Sequence, residues 1–157
     1  GKFVKTYHAD YFASNELETD FQEHYYSVSR KGVLRGMHFQ NPPNGHNKLV
    51  YCTTGAILDV VIDLRVESPS YLEHVSLELS SELGNMLYIP EGLAHGFYSV
   101  TDATVSYNVS STYSPESDDG VLWSSIGMDW PDAAPHISER DSSFIALSDF
   151  QSPFKFK

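Results

Sequence analysis

One short segment places a cation and an imidazole close together in the chain. In Ser29-Arg-Lys-Gly-Val-Leu-Arg-Gly-Met-His-Phe-Gln40, a turn at Lys31-Gly32 precedes a short β-like run. Side chains alternate along a strand, so a regular strand would put Arg35 and His38 on opposite faces. A bulge at Gly36 would bring both to one face and let a ligand approach closely. The segment is therefore a candidate site for anion binding and proton transfer. From the pattern alone, however, a histidine in a strand is more often structural.

A second segment places another histidine next to small residues. In Ile89-Pro-Glu-Gly-Leu-Ala-His-Gly-Phe97, a turn at Pro90 to Gly92 ends one strand, and His95 opens the next. Its neighbours Ala94 and Gly96 leave room for a ligand to approach the backbone. A structural histidine at the start of a strand fits this pattern equally well.

Other chemistries lack their sequence patterns. The seven histidines contain no His-x-His pair and no glutamate at ligand spacing, so we expect no metal site. The single cysteine, Cys52, lies in an apolar run and is expected to be a small buried residue, without a disulfide. No Gly-x-Ser-x-Gly elbow and no Gly-x-Gly-x-x-Gly loop occur. Proton transfer without a cofactor is the chemistry that remains.

Length and charge restrict the class of protein. A chain of 157 residues suits one domain, 1–157, with a core of its own. The net charge of −11 argues against nucleic acid and anionic membranes as general partners, although local cations can still bind a small anion. No run is long enough to span a membrane and no charged-then-apolar leader opens the chain, so we expect a cytoplasmic protein.

Regularly spaced β-like runs dominate the middle of the chain. Short runs recur about every ten residues with turn signals between them, which predicts an all-β sandwich or barrel. Residues 56–64 are the most apolar run and should be central, with Asp59 and Asp63 requiring partners if buried. Residues 1–12 suggest an extended aromatic arm, and a short helix is predicted near 140–147. The predicted strands span residues 21–29, 33–40, 48–53, 56–64, 74–79, 85–89, 97–100 and 104–109.

The motifs together resemble the dTDP-4-dehydrorhamnose 3,5-epimerase family. Residues 32–40 are similar to its GVLRGLHFQ, and residues 89–97 to its IPEGFAHGF. Further segments resemble family motifs in the same order along nearly the whole chain. These are Lys48-Leu-Val (KLV), residues 55–65 (GEVFDVAVDLR), Tyr113-Ser-Pro-Glu-Ser (YSPES), residues 127–131 (GIDWP) and residues 137–141 (LSEKD).

The resemblance implies a fold, a reaction and a set of catalytic residues. The fold would be a cupin-like jelly-roll β-barrel or sandwich with a few short helices. The reaction would invert carbons beside the C4 ketone of a nucleotide-linked 4-keto-6-deoxy sugar, through an enolate and without a cofactor or metal. His38 would be the base and Asp141 the carboxylate that orients it. Tyr107 would return a proton from the opposite side, and Lys48 would stabilise the enolate.

The resemblance also implies substrate-binding positions, some of which differ from the family. Matching positions are Arg35, Gln40, His95 and Arg140, with Asp118 where the family has glutamate. Lys5 stands where a family glutamate contacts the nucleotide. The family's QDNHS is replaced by Glu23-His-Tyr-Tyr-Ser27, and three further positions by Tyr51, Ala56 and Asn108.

These departures leave alternatives open. The retained acid and base favour an enzyme, whereas the altered pocket allows a different nucleotide sugar, such as a GDP-linked deoxysugar or a heptose, or inversion at C3 alone. A non-catalytic module that binds sugar nucleotides is a further alternative. The family resemblance also implies a homodimer with exchanged N-terminal strands, in which the arm Phe3 to Phe12 would take part.

Overall fold

Two antiparallel sheets form the body of the protein in the computed structural model, which describes residues 1–156. The strands are β1 Glu23–Ser29, β2 Leu34–Gln40, β3 Lys48–Thr54, β4 Ala56–Asp63, β5 His74–Ser80, β6 Met86–Ile89, β7 Leu93–Ser99, β8 Ala103–Val109 and β9 Asp118–Gly120. One sheet has four strands in the order β1-β8-β3-β6, and the other has five in the order β5-β4-β7-β2-β9. The all-β prediction is thereby confirmed.

Strand β4 is buried on both faces, which explains its continuous apolar sequence. Ile57 and Val61 point into one core, which they share with residues of β3, β7 and β8. Val60 and Ile62 point the other way, into a second core that the C-terminal segment closes with Phe154. The prediction that this strand is central is correct, since it pairs with both β5 and β7.

Both aspartates of β4 have hydrogen-bond partners, although Oδ1 of Asp59 is buried without one in residues 1–156. The Asp63 carboxylate accepts hydrogen bonds from the Arg65 guanidinium at 2.9 and 2.7 Å, and from the hydroxyls of Ser68 and Ser70. Asp59 is fully buried and contacts His95. Because an unpaired buried carboxylate is costly, the two residues were correctly expected to need such contacts.

The helices are short, and their bounds differ from the predictions. Helix α1, Ala9–Ser14, occupies part of the segment expected to be extended. Phe12 is its only buried residue and packs against the rings of Tyr7, Phe21 and Tyr88. A six-residue helix has little stability alone, so this aromatic contact decides its position. Helix α2, Glu139–Ser142, ends well before residue 147. Two 3₁₀ turns span Trp123–Ser125 and Leu147–Asp149.

Two strands differ from the sequence prediction. Strand β7 begins at Leu93, so His95 is its third residue and lies within the paired part of the sheet. Strand β9 was not predicted, because Asp118-Asp-Gly120 is short and polar and its β-structure depends on pairing with β2.

Candidate active site

A bulge in β2 brings the two key side chains of the first segment into one cavity. Arg35 pairs with Phe97 and His38 with His95, so β2 has one residue more than β7 between these points. Gly36 has a φ of +133°, and a Cβ there would lie 2.5 Å from the Cα of Gly96. Only glycine fits this approach. The predicted bulge is therefore confirmed, and Arg35 and His38 line the same cavity.

The cavity has a volume of about 330 Å³ and is formed by strands of both sheets together with the loops that follow them. It brings together most side chains that the sequence analysis selected. Asp141 lies directly behind His38, whereas Lys5 is exposed and does not line the cavity of its own chain. The selected residues that line it are Glu23, Arg35, His38, Gln40, Lys48, His95, Tyr107, Asp118 and Arg140.

His38 and Asp141 form a hydrogen-bonded pair. Asp141 is held in the first turn of α2, where its backbone N–H donates to Ser138 Oγ at 3.0 Å. Its Oδ1 lies 2.8 Å from His38 Nε2, and its Oδ2 accepts the Gly36 N–H at 3.0 Å. A carboxylate in this position holds the proton on Nε2. Nδ1 of His38 is therefore the nitrogen that can accept a proton from a ligand.

The pKa values of this pair suit a base in its neutral form. Burial lowers the pKa of His38, and this outweighs the opposing influence of Asp141. For Asp141, burial by itself would raise the pKa, but the hydrogen bonds from His38 and Gly36, with the charge of Arg140, lower it overall. At neutral pH the imidazole is free to accept a proton while the carboxylate stays ionised behind it.

Tyr107 is a buried phenol on the opposite sheet. It lies on β8, is 8% exposed, and its ring stacks on that of Tyr25 with centroids 4.8 Å apart. Its hydroxyl is 3.2 Å from Ser27 Oγ. Burial raises its pKa well above the ordinary value of 10, so the phenol keeps its proton. Because Tyr107 and His38 belong to different sheets, they approach the cavity from different sides.

Lys48 contributes a positive charge to the wall of the same cavity. It is the first residue of β3, is 6% exposed, and its Nζ donates to the carbonyl oxygen of His38 at 3.4 Å. Burial lowers the pKa of Lys48 to about 8, although Asp118 and Asp59 oppose this shift. A cation with so little solvent around it exerts a strong field on any negative charge that develops in the cavity.

A second histidine–aspartate pair lies beside the first. His95 Nε2 is 2.7 Å from Asp59 Oδ2, and both side chains are buried. Because His95 and His38 are directly opposite in the β2–β7 ladder, the two imidazoles enter the cavity from adjacent strands. His95 is thus oriented by Asp59 in the way that Asp141 orients His38.

The structure adds cavity residues that the sequence analysis did not select. The nitrogens of His46 are buried, without a hydrogen-bond partner in the described part of the chain, and burial lowers its pKa to about 3. His46 belongs to an irregular loop, so no periodicity marked it. Three further cavity residues were not predicted individually, because their own sequence segments do not show which distant residues they contact. They are Tyr25, Ser27 and Tyr113.

The charged side chains at the cavity mouth are more exposed. Arg140 donates to Asp118 Oδ2 at 2.7 Å, and about half of its side chain is exposed. Arg35 donates through Nε to Ser29 Oγ at 3.0 Å. The backbone N–H of Tyr113 donates to Glu23 Oε2 at 2.7 Å.

The side-chain amide of Gln40 makes contacts that hold the protein backbone in place. Its amide donates to the Asn44 carbonyl at 2.7 Å and accepts the Ser114 N–H at 2.8 Å. The side chain thus connects two loops at the cavity edge, which leaves little hydrogen-bonding capacity for a substrate.

Residues 1–156 contain no group of three or more His, Cys, Asp or Glu side chains placed to hold a metal ion. No helix in this range has the length and apolar character needed to cross a membrane.

Two sheets around a cavity that holds a His–Asp pair, a buried lysine and a buried tyrosine define a β-sheet enzyme equipped for proton transfer at carbon. The chain belongs to the dTDP-4-dehydrorhamnose 3,5-epimerase family, whose model matches residues 1–149. It is therefore an isomerase of the nucleotide-sugar epimerase type, and the resemblance found in the motifs is confirmed.

Individual relatives agree with this assignment. The dTDP-4-dehydrorhamnose 3,5-epimerase of Sinorhizobium fredii is 39% identical, over 99% of this chain and 83% of the relative. A dTDP-4-dehydrorhamnose 3-epimerase of Streptomyces niveus is also 39% identical, over 95% of this chain and 74% of the relative.

Solved structures of relatives share the cupin-like jelly-roll fold. The Legionella pneumophila epimerase in complex with dTDP-4-keto-L-rhamnose superposes with a TM-score of 0.92 and 29% identity, covering 99% of this chain and 86% of that one. The Bacillus anthracis 3,5-epimerase, with TDP and pyrophosphate bound, has a TM-score of 0.89 and 33% identity, covering 92% and 85%. The predicted jelly roll is thus confirmed.

Proposed function

We propose that this protein inverts C3 and C5 of a dTDP-linked 4-keto-6-deoxy sugar without a cofactor. One observation supports the proposal most strongly: the His38–Asp141 pair, Lys48 and Tyr107 all serve one cavity, with the base and the phenol on different sheets. The names of the relatives, which include both 3,5-epimerases and a protein bound to dTDP-4-keto-L-rhamnose, support the substrate.

The first step is removal of a proton next to the ketone. A C4 ketone acidifies the C–H bonds at C3 and C5, and Nδ1 of His38 takes one of these protons. Asp141 stabilises the imidazolium that forms and prevents the ring from turning its protonated nitrogen towards the sugar. The electron pair of the broken C–H bond forms a C=C double bond to C4, and the π pair of the C4 carbonyl moves onto its oxygen, which becomes the enolate oxygen.

Lys48 stabilises this intermediate. The ammonium group is buried beside His38, so its charge is only weakly screened by solvent. Preorganised charge of this kind is commonly the largest single contribution to catalysis of such a step.

Tyr107 completes the inversion by giving its proton to the carbon from the other side. Its high pKa makes it a poor acid towards neutral groups but a suitable donor to a basic enolate carbon. Return of a proton from the face opposite His38 inverts the carbon, and the ketone is restored.

The remaining predicted positions are proposed to bind substrate. Arg35 and Arg140 present guanidinium groups at the cavity mouth that suit the oxygens of a pyrophosphate. His95, held by Asp59, is placed to contact the sugar. Glu23, Asp118 and Gln40 line the same cavity, and their contacts to the nucleotide remain predictions.

Inversion at C3 alone is the second candidate. It is supported by the Streptomyces niveus 3-epimerase and by a solved 3'-monoepimerase of Streptomyces bikiniensis, which is 32% identical with a TM-score of 0.86 over 92% of this chain and 75% of that one. A change of nucleotide or sugar also remains open, because Glu23 and Tyr25 alter the cavity wall. A module that only binds would not need a matched base and acid.

The dimer and the cytoplasmic location remain predictions from the sequence. Residues 1–8 contain neither helix nor strand, and Phe3 is largely exposed. This supports the proposal that the arm, with Lys5, contacts a second copy of the chain.

Deuterium incorporation tests the proposed function. Incubation with a dTDP-linked 4-keto-6-deoxyglucose in deuterated water should label C3 and C5, or C3 alone for a 3-epimerase. His38→Ala should abolish labelling, whereas His24→Ala, on an exposed position of β1, should label as the wild type does. Labelling that survives in His38→Ala would show that another group is the base. A thermal-shift comparison of dTDP, GDP and UDP identifies the nucleotide, because a ligand of the native state raises the melting temperature.

A further inference from the structure

The phenol that protonates the enolate must itself be reprotonated before it can act again. Tyr107 is 8% exposed, and the ring of Tyr25 covers one of its faces at 4.8 Å, so solvent has little direct access to it while a sugar fills the cavity. A bare phenolate in this position would be costly, because burial disfavours its charge. The structure must therefore supply both a hydrogen-bond partner for the phenolate and a route for a proton.

Ser27 occupies the position that meets both needs. Its Oγ lies 3.2 Å from the Tyr107 hydroxyl, and the side chain lines the cavity. Ser27 pairs with Val105 in the β1–β8 ladder, so Tyr107, two residues along, is its diagonal neighbour on the same face of the sheet. Unlike Tyr107, Ser27 is only partly buried.

We propose that Ser27 is a positioning residue that relays protons from solvent to Tyr107. This inference rests on the proposed function. After Tyr107 gives its proton to carbon, the Ser27 hydroxyl donates its hydrogen bond to the phenolate oxygen. Ser27 then passes that proton to the phenolate and takes another from a cavity water. The proton gained from solvent balances the one that His38 releases to solvent, so both groups return to their initial states.

The relay has a consequence for enzymes that invert two carbons. The first inversion uses the proton already present on Tyr107. The second inversion, and every later turnover, can begin only after the Tyr107 phenolate has been reprotonated. Loss of the relay should therefore leave the first inversion nearly intact and slow the subsequent ones.

Single-turnover and steady-state measurements on Ser27→Ala test this inference. With enzyme in excess, the first inversion should proceed within about threefold of the wild-type rate, since the loss of one hydrogen bond is a modest change. With substrate in excess, an initial burst should precede a steady state about tenfold slower than that of the wild type, as expected when a proton-transfer step becomes limiting. Ser27→Thr keeps a hydroxyl and should restore the steady-state rate.

Matched controls separate a relay from a structural role. Ser106→Ala, next to Tyr107 but on the other face of β8, should behave as the wild type. Equal slowing of the first inversion and the steady state in Ser27→Ala would overturn the inference, as would unchanged kinetics. Failure of the proposed function itself would be seen separately, as deuterium labelling that persists in His38→Ala.

Discussion

The inner wall of the cavity and its mouth differ in how far their side chains are buried and hydrogen-bonded. Each side chain of the inner wall, defined here as His38, Lys48, His95 and Tyr107, has a hydrogen-bond partner, and all of them except the half-buried His38 are buried. The mouth, defined as Tyr25, Arg35, Tyr113 and Arg140, retains much more solvent, with Tyr113 60% exposed and Tyr25 43% exposed. Burial shifts the pKa values of three of the four inner-wall groups, and it also raises the pKa of Tyr25, the mouth residue that stacks on Tyr107, to about 12.

This difference indicates a division of tasks. Groups with little solvent can be held in unusual protonation states and exert strong electric fields, which proton transfer requires. Exposed groups are screened and mobile, so they contribute chiefly to binding. The inner wall follows the family motifs closely, whereas the segment 23–27, which runs from the mouth into the cavity, departs from them. Substitutions should therefore affect kcat in the inner wall and KM at the mouth.

The largest effect is expected for Asp141→Asn. The asparagine amide would donate to His38 Nε2 and place the ring proton on Nδ1, the nitrogen that must act as base. We expect a loss of activity of roughly 10⁴-fold, as in serine proteases when the tautomer of the catalytic histidine is reversed by the same substitution. Steady-state kinetics with the dTDP-linked 4-keto sugar measure it, and Asp149→Asn, at an exposed position, serves as the control. A loss below tenfold would mean that Asp141 does not set the tautomer.

A smaller loss is expected for Lys48→Met. The substitution keeps the length of the side chain but removes the charge that faces the enolate. We expect kcat to fall about 10²-fold with little change in KM, because the interaction forms mainly in the transition state. Lys31→Met, at an exposed turn, should leave both constants unchanged. An increase in KM without a fall in kcat would assign Lys48 to binding and weaken the contrast between the two regions.

The pH dependence should show a lysine with a low pKa. Burial lowers the pKa of Lys48 to about 8, so the side chain is charged below that pH and neutral above it. Since the charged form stabilises the enolate, kcat/KM should decline as the pH rises through about 8. Because the pKa of His38 is lowered from its ordinary value of 6.5, the base should stay neutral at pH values somewhat below 6.5. We therefore expect kcat/KM to remain constant down to that range. In Lys48→Arg the alkaline decline should move upwards; a decline that stays in place would belong to another group.

The smallest effect is expected at the mouth, for Arg140→Ala. Arg140 is half exposed and already pairs with Asp118. Its removal should therefore lose only one contact with a substrate phosphate, and solvent weakens that contact. We expect KM to rise about tenfold or less with kcat within about twofold of the wild type, which is the pattern for uniform binding. Arg30→Ala, exposed and outside the cavity, is the matched control. A fall in kcat larger than the rise in KM would contradict the proposed division of tasks.

The sequence predicted the sheet architecture well, because strand periodicity and turn residues act locally. The runs 48–53, 56–64, 74–79 and 104–109 agree with β3, β4, β5 and β8 to within about one residue at either end. The bulge at Gly36 was also predictable, since a glycine between two functional side chains is a local signal. Strand β9 and helix α1 were missed because their short segments are stabilised by contacts with distant parts of the chain.

The candidate site was predicted mainly through family motifs, and the contacts of its residues were not. Lys5 stands at a position that binds the nucleotide in the family, yet it does not line the cavity of its own chain. The sequence does not show whether Lys5 would reach the cavity of a second copy of the chain. Gln40 lines the cavity as expected, but its amide is used to connect two loops. His46 was overlooked because nothing in its local sequence indicates that both of its nitrogens are buried.

By itself the sequence determined the order of the strands along the chain and the glycine that allows the bulge, and it predicted which residues are the acid, the base and the cation. Tertiary structure alone decided that a carboxylate from α2 meets an imidazole on β2, that the Ser27 hydroxyl lies beside that of Tyr107, and that Lys48 is enclosed. The physical reason is that protonation states depend on burial and on neighbouring charges. Burial and neighbouring charge both depend on many residues that lie far apart in the chain and come together only when the two sheets pack around the cavity.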